Sequence, residues 1–273
     1  MATAESELNA IVTQRIENAP GLITIRVAAD GWELPRFTAG QFTVLGLPAS
    51  APRCQASDPE EKETGPDKLI KRAYSVASSS VVNEYIEFYI SLVRSGQLTP
   101  RLFNLKVGDR LWLSPKCTGY FTLKDVPSDM NIVLVATGTG LAPYMSMIRS
   151  ELYYEQSRRV AIIHGAYHSW DLGYHGELVT LARMHPMFTY IPVVSAPEEE
   201  PVPWTGRTGF VQETWKSRMI DGVWGFLPGP DNTHVFLCGH PAMIASMEEI
   251  IKEEGFVEHT RRSPGQYHLE RYW

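Results

Sequence analysis

Cysteine is scarce in this 273-residue chain: Cys54, Cys117 and Cys238 are three in number and far apart. An odd, dispersed set supports neither a disulfide framework nor a thiolate metal pair. Long hydrophobic runs are absent too; the longest strongly apolar stretch, Ile132 to Ala136, is far too short to span a bilayer. Met1 to Glu7 has no basic n-region and no apolar h-region, so no secretory signal is expected and a cytoplasmic protein is. Nor is there a basic excess. The net charge of −6 falls wholly on residues 129–273, while residues 1–128 balance. A nucleic-acid binder shows a basic domain or stripe, so nucleic acid and membrane are not expected partners. No G-x-S-x-G, H-E-x-x-H or C-x-x-C occurs. His164 and His168 stand four apart, with His175 further on. However, His164 ends a predicted strand, so no helix sets both rings on one face and no metal is expected. Internal repeats are absent.

With 44% apolar and 21% charged residues, what remains is a globular chain long enough for two domains. The first half reads as β-rich. Leu8 to Ile16 and Leu22 to Ala28 flank the turn cluster Asn18-Ala19-Pro20-Gly21, and a third strand ends near Leu45. The polar insertion from Pro48 to about Lys71 buries little and is expected to be an exposed loop. Tyr85 to Val93 alternates as a half-buried strand. Thr99 is the expected N-cap of a short helix with Pro100 at its first position, and Arg110 to Ser114 is a strand. From Asn131 the period changes. Strands at 132–136, 160–164, 188–194 and 235–238 alternate with helical stretches at 142–155, 176–184, 209–218 and 242–254. That alternation implies a parallel sheet with ligands at its carboxyl edge. Pro197-Glu198-Glu199-Glu200-Pro201 reads as a solvated loop. The expected division is residues 1–128 and 129–273.

Four stretches carry chemistry. In Arg72-Ala73-Tyr74-Ser75-Val76, alternation sends Arg72 and Tyr74 to one face, leaving the backbone from Tyr74 to Val76 to donate. A planar ligand with a pyrophosphate fits: Arg72 forks onto phosphate, Tyr74 lies against the ring and Ser75 reaches a ring nitrogen. The alternative is a strand with one surface Arg. Thr137-Gly138-Thr139-Gly140 links a buried strand to a helix, where two glycines let backbone approach a pyrophosphate. Pro143 replaces the third glycine of the dinucleotide fingerprint. Cys238-Gly239-His240-Pro241 is a second strand-to-helix turn, whose thiol either packs beside a flat ring or is a buried structural cysteine. A Thr99-capped helix N-terminus is a further phosphate seat, or only a capped helix.

Together these residues resemble the ferredoxin–NADP reductase family, in its bacterial ferredoxin/flavodoxin reductase branch. The likeness is carried, in order, by Arg72 to Ser75, Phe88 to Ser91, Gly96 to Leu102, Gly119-Tyr120-Phe121, Ala136 to Gly140, Cys238 to Pro241 and Glu270 to Trp273. The resemblance implies an antiparallel FAD-binding β-barrel followed by an α/β parallel-sheet NADP-binding domain. It implies that Arg72 and Thr99 hold the FAD pyrophosphate, beside Ala73. Tyr74 stacks on the isoalloxazine and Ser75 bonds near N5. Tyr89, Ile90, Ser91 and Leu92, with Gln97 and Leu98, line the rest of FAD. Thr137, Gly138 and Thr139 sit where flavin and nicotinamide meet, Cys238 and Gly239 lie near nicotinamide C4, and Tyr272 and Trp273 form an aromatic tail on FAD. Tyr74, Ser75 and Cys238 are thus the expected catalytic set.

Departures concern the nucleotide. NADP-preferring relatives carry an Arg directly after the residue matching Ser195, where this chain has Ala196-Pro197. Another position often basic in relatives is Tyr167, and Arg207 alone matches a phosphate-contacting Arg. NADP is the expected nucleotide, with NAD as the alternative. The implied reaction is electron transfer between NADP(H) and ferredoxin or flavodoxin, by hydride transfer between nicotinamide C4 and flavin N5, in a monomer. An acidic partner implies basic docking residues, for which Lys68, Lys71, Arg94, Arg101 and Lys116 are candidates. The alternatives are an NADH-dependent flavin reductase or oxygenase reductase component, and a flavin-binding regulatory module without turnover.

Overall fold

A computed structural model describes residues 4–60, 64–153 and 155–271. They divide into two units, one running to Thr122 and including Met145–Ser150, the other comprising Leu123–Tyr144 and the chain from Glu151 onward.

The first unit is antiparallel. Its strands are β1 (Ala10–Ala19), β2 (Leu22–Ala29), β3 (Phe42–Pro48), β4 (Leu69–Ser75), β5 (Ile86–Ser91) and, after helix α1 (Thr99–Asn104), β6 (Arg110–Leu113). Their order is β4-β3-β6-β1-β2-β5, and a bridge between Val76 and Phe88 closes the sheet on itself. Closure removes both edges, which would otherwise offer unpaired N–H and C=O groups. The interior is filled by alternate residues of several strands, among them Val12, Ile23, Ile25, Leu45, Phe88 and Leu113. Each such side chain contributes roughly 1.5–3 kcal/mol by leaving water.

Three expectations change here. β1 runs on to Ala19, so Pro20-Gly21 alone makes the turn, with Gly21 at φ +80°. β5 is covered on both faces, because Glu87 lies buried between two guanidiniums. Its carboxylate meets Arg26 at 2.8 Å and Arg149 at 2.6 Å, and Arg149 also reaches the Ala77 carbonyl at 2.9 Å. The polar insertion is half-buried rather than a free loop. Cys54 N–H donates to the Pro100 carbonyl and Asp58 N–H to that of Arg94, which straps the segment to α1 and the turn before it.

The second unit holds the strands β7 (Asn131–Thr137), β8 (Val160–Ala166), β9 (Phe188–Val194), β10 (Arg207–Thr208), β11 (Thr233–Cys238) and β12 (Tyr267–Glu270). Between them in the chain lie α2 (Ala142–Met147, of which Met145–Met147 belong to the first unit), α3 (His175–Met184), α4 (Val211–Lys216), α5 (Met219–Trp224) and α6 (Pro241–Glu253). All pairings are parallel, in the order β10-β9-β8-β7-β11-β12. β7 is buried from Ile132 to Ala136, as a central parallel strand with both faces covered must be. The helical stretch expected at 142–155 is α2 followed by a wider turn over Ile148–Leu152. α6 buries Met243, Ile244, Met247, Ile250 and Ile251 and ends before Gly255 at φ +90°. β10, α5 and β12 are too short or too mixed to carry a readable period. Among the described residues, no helix is long and apolar enough to cross a membrane.

Candidate functional site

In the barrel unit, β4 pairs with β3 so that Thr43 faces Tyr74, Val44 faces Ala73 and Leu45 faces Arg72. Arg72 and Ala73 are exposed, Tyr74 is half-buried and Ser75 is buried. The phenol ring of Tyr74 meets Phe88 edge to face, with centroids 6.5 Å apart. Burial holds its hydroxyl well above the ordinary phenol range, against the pull of the Arg72 charge. The backbone is less available than expected, because Val76 N–H donates to the Gln41 carbonyl at 3.0 Å. Ladder alternation turns the Tyr74 N–H the same way and the Ala73 N–H away from β3.

Arg72 donates to the Lys71 carbonyl at 2.8 Å and to Gln97 Oε1 at 3.2 Å, both neutral acceptors. Gln97 is held in turn by Thr64 Oγ1, which accepts from its amide at 3.1 Å. Thr99 is not the helix cap. The N-cap is Leu98, Pro100 follows Thr99 inside the first turn, and no side chain caps the helix. The Thr99 hydroxyl instead bonds both the N–H and the carbonyl of Val93, at 3.0 and 3.1 Å, pinning α1 to the end of the β5 segment. Tyr89, Ile90 and Leu98 are buried, while Ser91, Leu92 and Gln97 are half-exposed. Arg101 leaves the list of docking residues. It is only 3% exposed and gives both terminal nitrogens to Glu60, at 2.7 and 3.0 Å. Of the others, Lys68 and Lys116 are exposed, Lys71 lies 3.7 Å over the Trp112 ring, and Arg94 pairs with Asp58 at 3.4 Å.

In the parallel-sheet unit, the strand order reverses beside β7: the chain goes from β7 out to β10, then returns to β11 on the other side. Ligands of open α/β sheets lie at the carboxyl ends of the strands at such a switch point. Here those ends are Thr137-Gly138 and Cys238-Gly239. The two turns meet backbone to backbone. A Cβ on Gly140 would stand 2.3 Å from the Cys238 carbonyl oxygen, and one on Gly239 2.3 Å from Thr137 Oγ1. Thr137 Oγ1 also accepts from His240 N–H at 2.8 Å. Gly140 is therefore required by the neighbouring turn, not by ligand approach. Gly138 differs: it sits at φ +53° and a Cβ there would meet nothing within 4 Å among the described residues. Among the described residues the backbone at Gly138 is open on that side. Cys238 is fully buried at the end of β11. His240, absent from the expected set, caps α6 through Nδ1, which accepts from Ala242 N–H at 3.2 Å.

Ser195 follows β9 and donates both N–H and hydroxyl to the Ala166 carbonyl, at 3.0 and 3.3 Å. Arg207 opens β10, opposite Val193. Its guanidinium bonds Thr214 Oγ1 at 2.9 Å, Ser217 Oγ at 2.6 Å and, more loosely, the Met219 sulfur at 3.7 Å. The acidic loop after Ser195 is docked rather than freely solvated. Glu199 meets His168 Nε2 at 2.9 Å, Asp171 meets its Nδ1 at 3.0 Å, and Glu200 accepts from Ser169. The Glu199 hydrogen bond, with Asp171 behind it, raises the His168 pKa. Tyr167 beside it is exposed. His164, buried in β8, meets the Tyr190 hydroxyl at 3.1 Å. Tyr272 and Trp273 lie outside the described residues.

The Oxidoreductase NAD-binding domain family matches residues 134–249, the stretch that holds the switch point. The flavodoxin/ferredoxin–NADP reductase of Escherichia coli is 31% identical over 87% of this chain and 88% of its own length. The ferredoxin–NADP reductase of Pseudomonas aeruginosa is 29% identical over 86% of each chain. Among solved structures, a Neisseria gonorrhoeae ferredoxin NADP+ reductase with bound FAD and NADP superposes with a TM-score of 0.80, at 23% identity, over 98% of this chain and 99% of that one. Sequence likeness spans both units and the fold agrees throughout. The chain belongs to the flavodoxin/ferredoxin–NADP reductase family.

Proposed function

We propose that this chain is an FAD-dependent oxidoreductase that moves electrons between NADP(H) and a small acidic carrier, a ferredoxin or flavodoxin. Residues 1–128 form its FAD-binding part and residues 129–273 its nucleotide-binding part. One observation carries the reading. Arg72 and Arg207, one in each unit, are held in place by neutral partners alone among the described residues. Arg26, Arg53, Arg101 and Arg149, by contrast, each meet a carboxylate. A guanidinium already neutralised by a carboxylate has little to offer a phosphate, whereas one oriented by amide and hydroxyl groups keeps its charge and fork.

Bound FAD supplies the exchange between two-electron and one-electron chemistry. The protein binds and orients. Arg72 holds the pyrophosphate, and exposed Ala73 beside it is small enough to let a flat ligand approach. Tyr74, fixed against Phe88, offers its ring as a stacking surface, and Ser75 next to it serves a ring nitrogen. Gly138 leaves room for the nucleotide at the switch point, with Thr137 and Thr139 on either side. Ser195 and Arg207 stand at adjacent strand ends, where they receive the 2′-phosphate. Lys68, Lys71 and Lys116 form the docking surface for the acidic partner; Arg94 contributes less because Asp58 already screens it.

A second reading, NADH as the reductant, is favoured by the carboxylates of Glu199 and Glu200, docked four and five residues beyond Ser195. Anaerobic titration separates the two. Purified protein is expected to be yellow, and NADPH to bleach its flavin band at lower concentration than NADH. Bleaching by NADH alone assigns the second reading. A preparation that takes up no FAD when offered it overturns both.

A further inference from the structure

We infer that residues 49–60 and 64–68 act as a positioning strap for Arg72, and that Thr64 and Glu60 thereby control how tightly FAD is retained. The inference rests on the assignment of Arg72 to the FAD pyrophosphate. The strap is tied at both of its ends and in the middle. Ala49 N–H donates to the Lys68 carbonyl at 2.9 Å, which closes the loop on itself at the mouth of β3 and β4. Cys54 and Asp58 stitch it to Pro100 and Arg94, on either side of the turn Gly96-Gln97-Leu98. Arg53 adds bonds to the Gly96 and Asp58 carbonyls at 3.0 and 2.6 Å.

Glu60 is the anchor. It accepts a bidentate pair from buried Arg101 and a further contact from Arg53 at 3.0 Å, which hold its carboxyl below the ordinary carboxylate range. Arg101 also donates to the carbonyls of Gln97 at 2.6 Å and Ala49 at 2.5 Å, so one guanidinium joins the strap, its root and the turn. Removing Glu60 would leave a buried cation without its counter-charge, the costly way to break such a pair.

From that anchored frame two hydrogen bonds lead to the ligand-facing side chain. Thr64 Oγ1 accepts from Gln97 Nε2, which fixes the amide so that Oε1 faces Arg72 Nη2. Gln97 is half-exposed and Arg72 exposed, so without this relay both long side chains would sample many rotamers. The relay uses neutral groups only, so it aims the guanidinium without neutralising it. A strap that merely covered the barrel would have no reason to bond Gln97, the residue that meets Arg72.

The test is a double-mutant cycle on the holoenzyme, with the rate of FAD release on dilution followed by the rise in flavin fluorescence. Thr64→Val is expected to speed release about fivefold, the worth of one net hydrogen bond. Glu60→Gln is expected to speed it at least tenfold, and Arg72→Gln more than either. The decisive variant combines Thr64→Val with Arg72→Gln. If the strap acts through Arg72, the double variant releases FAD no faster than Arg72→Gln alone. Additive rates, or unchanged release in Thr64→Val and Glu60→Gln while Arg72→Gln is fast, overturn the inference and leave the flavin site standing. Unchanged release in Arg72→Gln itself overturns the site and the inference together. Thr64→Val removes a single surface hydroxyl bond, so its result stands even if Glu60→Gln fails to fold.

Discussion

Adding one methyl group at Gly140 and one at Gly138 should do opposite things, although the two positions are a residue apart. At Gly140 the new carbon would stand 2.3 Å from the Cys238 carbonyl oxygen, 2.5 Å from its carbon and 2.7 Å from Gly239 Cα. All three atoms are backbone. They belong to a strand end held in register, Cys238 opposite Ala136, so relief requires β7 and β11 to part where the sheet is most buried. Overpacking a closed interior costs about 1–3 kcal/mol and occasionally more. With no flexible side chain to yield, the upper end of roughly 3 kcal/mol is expected for Gly140→Ala. At Gly138 the methyl meets nothing within 4 Å among the described residues, which leaves the cost of a non-glycine residue at φ +53°. That conformation costs an L-residue roughly 1–2 kcal/mol.

For a domain of this size 1 kcal/mol corresponds to about 2–4 °C in Tm. Gly140→Ala should therefore lower Tm by roughly 6–12 °C and Gly138→Ala by roughly 2–8 °C. Catalysis should rank the other way. At a temperature where both variants are folded, Gly138→Ala is expected to raise the KM for NADPH about tenfold, because its methyl fills the space proposed for a phosphate and costs one contact of about 1.4 kcal/mol. Gly140→Ala should leave KM within a few-fold of the parent. Thermal unfolding by calorimetry and steady-state kinetics on the same preparations decide the matter. If Gly140→Ala is the milder change in Tm, the packing argument fails. If Gly138→Ala leaves the KM for NADPH untouched, nothing approaches that turn and the switch-point assignment is wrong.

Two further outcomes follow from the same geometry. Arg207→Gln removes a guanidinium held by neutral groups, so kcat/KM with NADPH should fall about 10–100-fold, the worth of a charge-assisted hydrogen bond. The value with NADH should stay within twofold, and an equal loss with both nucleotides would refute the 2′-phosphate assignment. Acid should loosen the parallel-sheet unit before carboxylates titrate. Burial, with His259 and Arg158 adding repulsion, lowers the pKa of His234 to about 4; burial with His259 and His234 lowers that of His268 to about 3. These groups bind more protons unfolded than folded, so their stabilisation is complete above about pH 6.5 and declines as pH falls toward the folded values. The slope is at most about 1.4 kcal/mol per pH unit for each histidine. Urea midpoints that stay flat from pH 7 to pH 5 would show that the pair is not buried neutral.

The two-part architecture was legible because it rests on period. Ile86, Phe88 and Ile90 alternate, Met243, Ile244, Met247, Ile250 and Ile251 mark a helical face, and Gly255 ends it; these patterns survive folding because they are the cause of it. Glu87 shows the limit. A carboxylate at an alternating position reads as solvent-facing, and Arg26 and Arg149, 61 and 62 positions away, make its burial tolerable. Non-local partners of that kind leave no mark on spacing. The strap was missed for the same reason. Its Pro, Asp, Glu and Lys content describes a loop that cannot bury apolar surface, yet Arg53, Glu60 and Arg101 close it by ion pairing instead.

Residue type alone also misjudged why particular residues are there. Thr99-Pro100 has the chemistry of a helix start, but the hydroxyl is already engaged by both polar groups of Val93, so the cap falls on Leu98. Gly138 and Gly140 look equivalent in the chain, and both suit a turn that must lie close to something. What they lie close to differs: among the described residues Gly140 faces another backbone and Gly138 faces open space. The arginines divide likewise. Arg101 sits inside the stretch that resembles a flavin site and is taken up by Glu60, whereas Arg72 is aimed by Gln97 and keeps its charge. A glycine or an arginine in a sequence states a capacity, and the partner that folding brings to it decides whether a ligand or the protein itself uses that capacity.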